Sequence, residues 1–92
     1  MKYFDWDEEK NEWLKDKRGI GFENVKSKLE IKDFLDIIDN PNKIKYPNQK
    51  MFVIVVDDYV HLVPFVEDEE KIFLKTIYPS RKLQKKYLKG KI

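Results

Sequence analysis

Ninety-two residues with 41% apolar content, two Trp, five Tyr and six Phe suffice for one small hydrophobic core and not for two, so a single domain spanning 1–92 is expected. Cysteine is absent and His61 is the lone histidine, which excludes a disulfide framework, a thiolate zinc site and a His-rich metal site. The net charge is +2, yet the last fifteen residues, YPSRKLQKKYLKGKI, carry six basic side chains and no acid, leaving thirteen basic against seventeen acidic residues in positions 1–77, a net of −4. An acidic body with a basic end is a pattern of proteins that meet nucleic acid, anionic membranes or acidic partners; the plainer reading is a solvated helix face.

Residues 2–6, KYFDW, read as a short first strand. Asp5 or Asp7 then caps a helix, because a carboxylate there accepts from free backbone N–H groups and favours the positive end of the helix dipole. That helix is expected to bury a stripe including Trp13 and Leu14, to run to Lys17 or Arg18, and to stop at Gly19. Phe22, Val25 and Leu29 recur at helical spacing in a second helix that fades between Glu30 and Asp33. A strand follows near Leu35, and Asn40-Pro41 and Tyr46-Pro47-Asn48 mark a loop. Three strand-like runs come next, at 51–56, 59–66 and 71–78. Asp57-Asp58 and Glu67-Asp68-Glu69-Glu70 separate them as hairpin turns. After Pro79 a short helix begins, with Ser80 as its cap. The order β-α-α-β-β-β-β-α predicts an α+β fold, two N-terminal helices packed on a mostly antiparallel sheet.

With Val56 facing Tyr59 and Val66 facing Lys71, alternation sorts the strands into two faces. Val53, Val55, Val60, Leu62, Phe73 and Ile77, with Lys75 as the odd member, form an aliphatic face expected beneath the helices. His61, Tyr59, Tyr78 and Thr76 gather on the other, with Phe52, Val63, Phe65 and Leu74 toward its far end. That second set would lie beside the start of Ser80-Arg81-Lys82.

No glycine-rich phosphate loop and no H-E-x-x-H pattern is present. Aromatic rings that stack on bases beside cations that neutralise phosphates instead suit single-stranded RNA or DNA. A ribonuclease acting without a metal or cofactor needs proton-transfer groups and cations around a phosphorane. His61, Tyr59, Tyr78, Lys75 and Lys82 are candidates for proton transfer, and Arg81, one of two arginines among seventeen lysines, for a bidentate phosphate clamp. Each has a plain alternative: a satisfied strand histidine, rim-of-core tyrosines, a solvated arginine. Trp6 and Trp13 read first as core.

The stretch WDEEKNEWLKDKRGIGFE, 6–23, resembles the opening of BrnT toxins, W-D-x-x-K-N followed by K-H-G-V-x-F-E. Trp6, Asp7, Lys10, Asn11, Lys17, Gly19, Phe22 and Glu23 match; Arg18 stands in place of histidine and Ile20 in place of valine. KTIYPSRK is similar to the family's I-I-S-A-R-K ending and sets Arg81 on its arginine. The resemblance implies a RelE/ParE-like fold and a cytoplasmic endoribonuclease toxin of a type II toxin–antitoxin pair, which inhibits translation and is held by an antitoxin encoded in an adjacent gene. It carries a catalytic role to Arg81 and an RNA-contacting role to Trp6, while the residue pattern adds His61, Tyr78 and Lys82 as the other catalytic candidates. RNA contacts would come from Tyr59, Trp6, Lys75, Lys85 and Lys86. Around the first long hairpin the family commonly has a glycine and an arginine, where this chain reads VIVVDDYVHL; His61 or Lys75 could stand in for that cation. A non-catalytic RNA- or antitoxin-binding module and a ParE-like gyrase poison are the alternatives.

Overall fold

A carboxylate, a glycine and one buried amide fix the N-terminal third. Asp7, extended in backbone, accepts from the N–H groups of Glu9 (2.9 Å) and Lys10 (3.4 Å) and starts helix α1, Glu8–Arg18. Gly19 ends it in the left-handed conformation, φ 69°, returning its N–H to the Lys15 carbonyl. Helix α2, Phe22–Glu30, begins at once after Gly21. A Cβ there would stand 2.6 Å from a Glu23 carboxylate oxygen and 2.7 Å from Lys15 Cε, so a larger residue would have to displace the Lys15–Glu23 pair. Asn11, fully buried, joins the two helices, accepting from the Phe22 N–H at 2.7 Å and donating to Glu8 and Glu23.

The computed structural model describes residues 2–88. Its sheet comprises β1 Tyr3–Trp6, β2 Asp36–Asp39, β3 Lys50–Val56, β4 Tyr59–Glu67, β5 Lys71–Leu74 and the two-residue β6 Tyr78–Pro79. Their order is β1-β5-β4-β3-β2, with β6 also paired to β4. All pairings are antiparallel except β1 with β5, where Phe4 faces Ile72. Helix α3, Arg81–Tyr87, follows with Ser80 Oγ accepting from the Leu83 N–H. This is the expected α+β arrangement with two N-terminal helices on a largely antiparallel sheet. The last expected strand, 71–78, is divided between β5 and β6.

The two faces are exchanged relative to the sequence expectation. Leu14, Phe22, Val25 and Leu29 of α1 and α2 pack on Phe52, Ile54, Val63, Phe65 and Leu74. The aliphatic set Met51, Val53, Val60 and Leu62 lies on the opposite side, beneath Leu83, Tyr87 and Leu88 at the C-terminal helix. Alternation fixes which residues share a face but not which face receives two helices. The larger side chains fill the thicker layer, and Phe52 and Phe65 stack there at 4.2 Å. Phe52, Val63, Phe65 and Leu74, expected on the face away from the helices, are therefore core beneath them.

Val56 faces Tyr59 as expected, but Val66 faces Phe73, two residues from the expected Lys71. The ladder then breaks. Phe65 pairs with Leu74, whereas Leu62 pairs with Tyr78, so β5–β6 carries one residue more than β4 requires. This is a β-bulge, and it lies opposite Pro64. The Pro64 carbonyl accepts from the Lys75 N–H at 2.8 Å, but proline has no N–H to return toward that strand. One extra residue reverses every side chain beyond it. Ile77 enters the main core, and Tyr78 joins the face beneath α3.

Candidate functional site

The bulge dismantles the expected cluster and builds another. His61, opposite Ile54, lies on the α1/α2 side rather than on the face away from the helices, half-buried, with Nδ1 2.8 Å from the Tyr59 carbonyl and the Tyr59 ring edge-on at 6.1 Å. Tyr78 and Leu62 share the opposite face. His61 and Tyr78, expected side by side, are thus separated by the sheet.

Lys75, Thr76 and Tyr78 instead line a cleft of about 360 Å³ with Pro64, Lys10 of α1, and Asn40, Tyr46 and Gln49 of the loop between β2 and β3. A second cleft of about 270 Å³ adjoins it, sharing Tyr46, Gln49 and Lys75 and adding Lys45, Pro47, Asn48 and Val66. Neither wall contains an acidic residue. Among the described residues none of the three lysines forms a salt bridge, although Lys2, Lys15, Lys28 and Lys71 do. Each rests on an aromatic ring: Lys10 4.5 Å from the Trp13 centroid, Lys45 5.3 Å from Tyr46, Lys75 5.4 Å from Phe73. The charges are held in place while remaining available to an anion.

Tyr78 is half-buried. Its hydroxyl lies 3.5 Å from Met51 Sδ, and burial pushes its pKa above the ordinary tyrosine value. It can donate a proton or a hydrogen bond and is poorly suited to act as a base. Tyr46 is 37% exposed and offers a ring to a flat ligand. Three cations, two tyrosines and polar Thr76, Asn40 and Gln49 make a groove that suits a phosphate chain bearing unstacked bases.

Of the residues expected at the site, the groove brings together Lys75 and Tyr78. Arg81, Lys82, Lys85 and Lys86 are exposed on α3, outside its walls and without salt bridges to described residues. Lys89 and Lys91 of the basic end lie outside the described residues. Trp6 is half-buried against the main core, stacked on Phe22 at 5.6 Å, with its indole N–H donating to Glu8 at 3.3 Å. Trp13, expected in the core, is 43% exposed between Lys10 and Arg18. Leu14 alone of that pair fills the position facing the sheet, and the Arg18 guanidinium is occupied by the Ile77 carbonyl. Lys45, Tyr46 and Gln49 escaped the sequence reading, which took their segment only as turns. The signal was available in Lys43-Ile44-Lys45-Tyr46, a cationic and aromatic run between two proline turns.

Most of the N-terminal motif has a structural explanation. Asp7 caps α1, Asn11 ties the helices, Gly19 ends α1, Phe22 fills the core and Glu23 accepts from Lys15 at 3.0 Å. Its own backbone N–H, then Lys15, hold the Glu23 carboxyl below the ordinary value. Compared with known proteins, the chain matches no family model, no curated protein and no solved structure.

Proposed function

We propose that this chain is an RNA-directed toxin of RelE/ParE-like, BrnT-type build, which holds single-stranded RNA in the Lys10–Lys45–Lys75 groove, cleaves it and so inhibits translation. The observation that carries the reading is the groove itself, with three lysines that pair with no carboxylate among the described residues, Tyr46 and Tyr78, and no described carboxylate on its walls. The motif resemblance supports the ancestry and a cognate antitoxin as partner.

Cleavage there needs no metal. Attack of a 2′-hydroxyl on the adjacent phosphorus forms the O2′–P bond and breaks P–O5′, leaving a cyclic phosphate and a 5′-hydroxyl. Lys75 and Lys10 would stabilise the charge on the phosphorane oxygens. Tyr78 would give its proton to the departing O5′, and the 2′-hydroxyl proton would pass to water. The separation of His61 from Tyr78 favours a second reading, an RNA-binding module that does not cut, since the groove contains no histidine.

Incubating the purified protein with labelled single-stranded RNA in excess EDTA tests both. Cyclic-phosphate products, lost in Tyr78→Phe and Lys75→Ala, are expected. Binding without products would establish the module, and absence of both would refute the proposal.

A further inference from the structure

We infer that Gln49 gives the groove a preference for a keto base, uracil or guanine, beside Tyr46, and that Asn40 enforces it. The inference rests on the reading of the groove as an RNA site and adds which bases it selects.

The direction of two side-chain amides is settled by a backbone group that can only donate. The Asn42 N–H donates to Asn40 Oδ1 at 2.9 Å, so the Asn40 oxygen is committed there. Its Nδ2 is then left for Gln49, and donates to Oε1 at 2.6 Å. Gln49 must therefore offer its oxygen to Asn40 and its NH₂ elsewhere; among the described residues that NH₂ has no hydrogen-bond partner. The backbone holds the pair together, with the Asn40 N–H on the Gln49 carbonyl at 3.0 Å and the Gln49 N–H on the Tyr46 carbonyl at 3.3 Å.

Gln49 lines both clefts, as does Tyr46. A base stacked on Tyr46 has a donor beside its edge and an amide oxygen already engaged. A free glutamine reads adenine by using both its oxygen and its nitrogen. With its oxygen turned toward Asn40 and its NH₂ toward the groove, Gln49 favours edges that carry acceptors without a neighbouring amino group: O4 of uracil, or O6 and N7 of guanine. Cytosine N4 and adenine N6 bring a second donor toward the Gln49 donor. Lys45 and Lys75 add positive charge on the same wall, which also favours a carbonyl edge.

The test uses fluorescently labelled 2′-O-methyl octamers, U8 and C8, which match in ring size and cannot be cut by 2′-attack. Wild-type protein should bind U8 up to about tenfold more tightly than C8, the upper scale of one net hydrogen bond. Gln49→Leu should abolish the difference. Asn40→Asp is the sharper variant, because its second carboxylate oxygen can only accept. Gln49 must then turn its NH₂ inward and present Oε1 to the base, so the preference should reverse toward C8 although the base-facing residue is unchanged. Thermal melts establish that both variants are folded, and if Asn40→Asp does not fold, Gln49→Leu decides. Equal, salt-sensitive affinities for U8 and C8 in the wild type would overturn this inference and leave the RNA reading standing. Failure to bind either octamer would overturn both.

Discussion

Asn11 shows how much of the fold one side chain can hold. Fully buried, it satisfies the Phe22 N–H at the start of α2 and places its two donors on Glu8 and Glu23. Asn11→Leu preserves the volume but leaves a buried N–H unpaired, at a cost of about 1–3 kcal/mol. For a domain of this size each kcal/mol lowers Tm by roughly 4–8 °C, and calorimetry should find a fall on that scale. A fall below about 2 °C would mean water or a neighbour takes over the bond. Glu23 adds a pH dependence. Its carboxyl is held below its ordinary 4.5, so the native state favours the ionised form. That stabilisation is complete above the unfolded pKa and disappears as the pH drops through the lower folded value. Tm of the wild type should therefore fall on acidification below about pH 4.5, and Glu23→Gln should flatten that limb; an unchanged acid limb would assign it to other carboxylates.

At the scale of elements, turns and contacts decide where the strands and the last helix lie. Asp57 and Asp58 both have positive φ, 52° and 61°, the geometry of a tight hairpin turn that glycine adopts at least cost. Asp58→Gly should raise stability by about 1 kcal/mol, measured as a shift of the urea midpoint at constant m. A lower midpoint would show that the aspartate itself is needed. Helix α3 has only seven residues and is too short to persist by itself. It is held by Leu83 and Tyr87 on the sheet and by Gln84, whose Oε1 accepts from the Val60 N–H at 2.6 Å and whose Nε2 donates to the Asp58 carbonyl at 3.2 Å. Gln84→Met removes both bonds with little change in volume. Hydrogen exchange at 81–87 should accelerate by at least about tenfold while β3 and β4 stay protected. Uniform acceleration would instead make α3 part of the global folding unit.

Among the described residues, two clusters of cations lie free of salt bridges. One is the groove, where Lys10, Lys45 and Lys75 come from three distant segments; the other is the exposed surface of α3 with Arg81, Lys82, Lys85 and Lys86. Each phosphate neutralised on a single strand contributes about −0.7 to the slope of log K against log salt, so removing all three groove lysines should reduce that slope by about 2. Titrations of single-stranded RNA at several salt concentrations measure it. If the slope instead follows removal of the α3 cations, the basic end binds the backbone and the groove does not.

Sequence alone determined the elements, because their causes are local: a carboxylate cap at Asp7, a glycine stop at Gly19, helical spacing of Phe22, Val25 and Leu29, alternation through β3 and β4, a serine cap at Ser80. It also located the N-terminal motif, of which Asn11, Gly19, Phe22 and Glu23 serve the α1–α2 junction. Which sheet face receives α1 and α2 was decided only in three dimensions, since both faces are apolar and alternation is symmetric between them. The site depended still more on tertiary structure. Pro64 lacks the N–H that would continue the ladder, the chain opposite it gains a residue, and Tyr78 turns away from His61 toward a loop some thirty positions earlier. Periodicity assumes an unbroken ladder, so it could group His61 with Tyr78 but not foresee the bulge. Lys10, Lys45 and Lys75 meet through chain closure across the sheet, a relation no local pattern encodes.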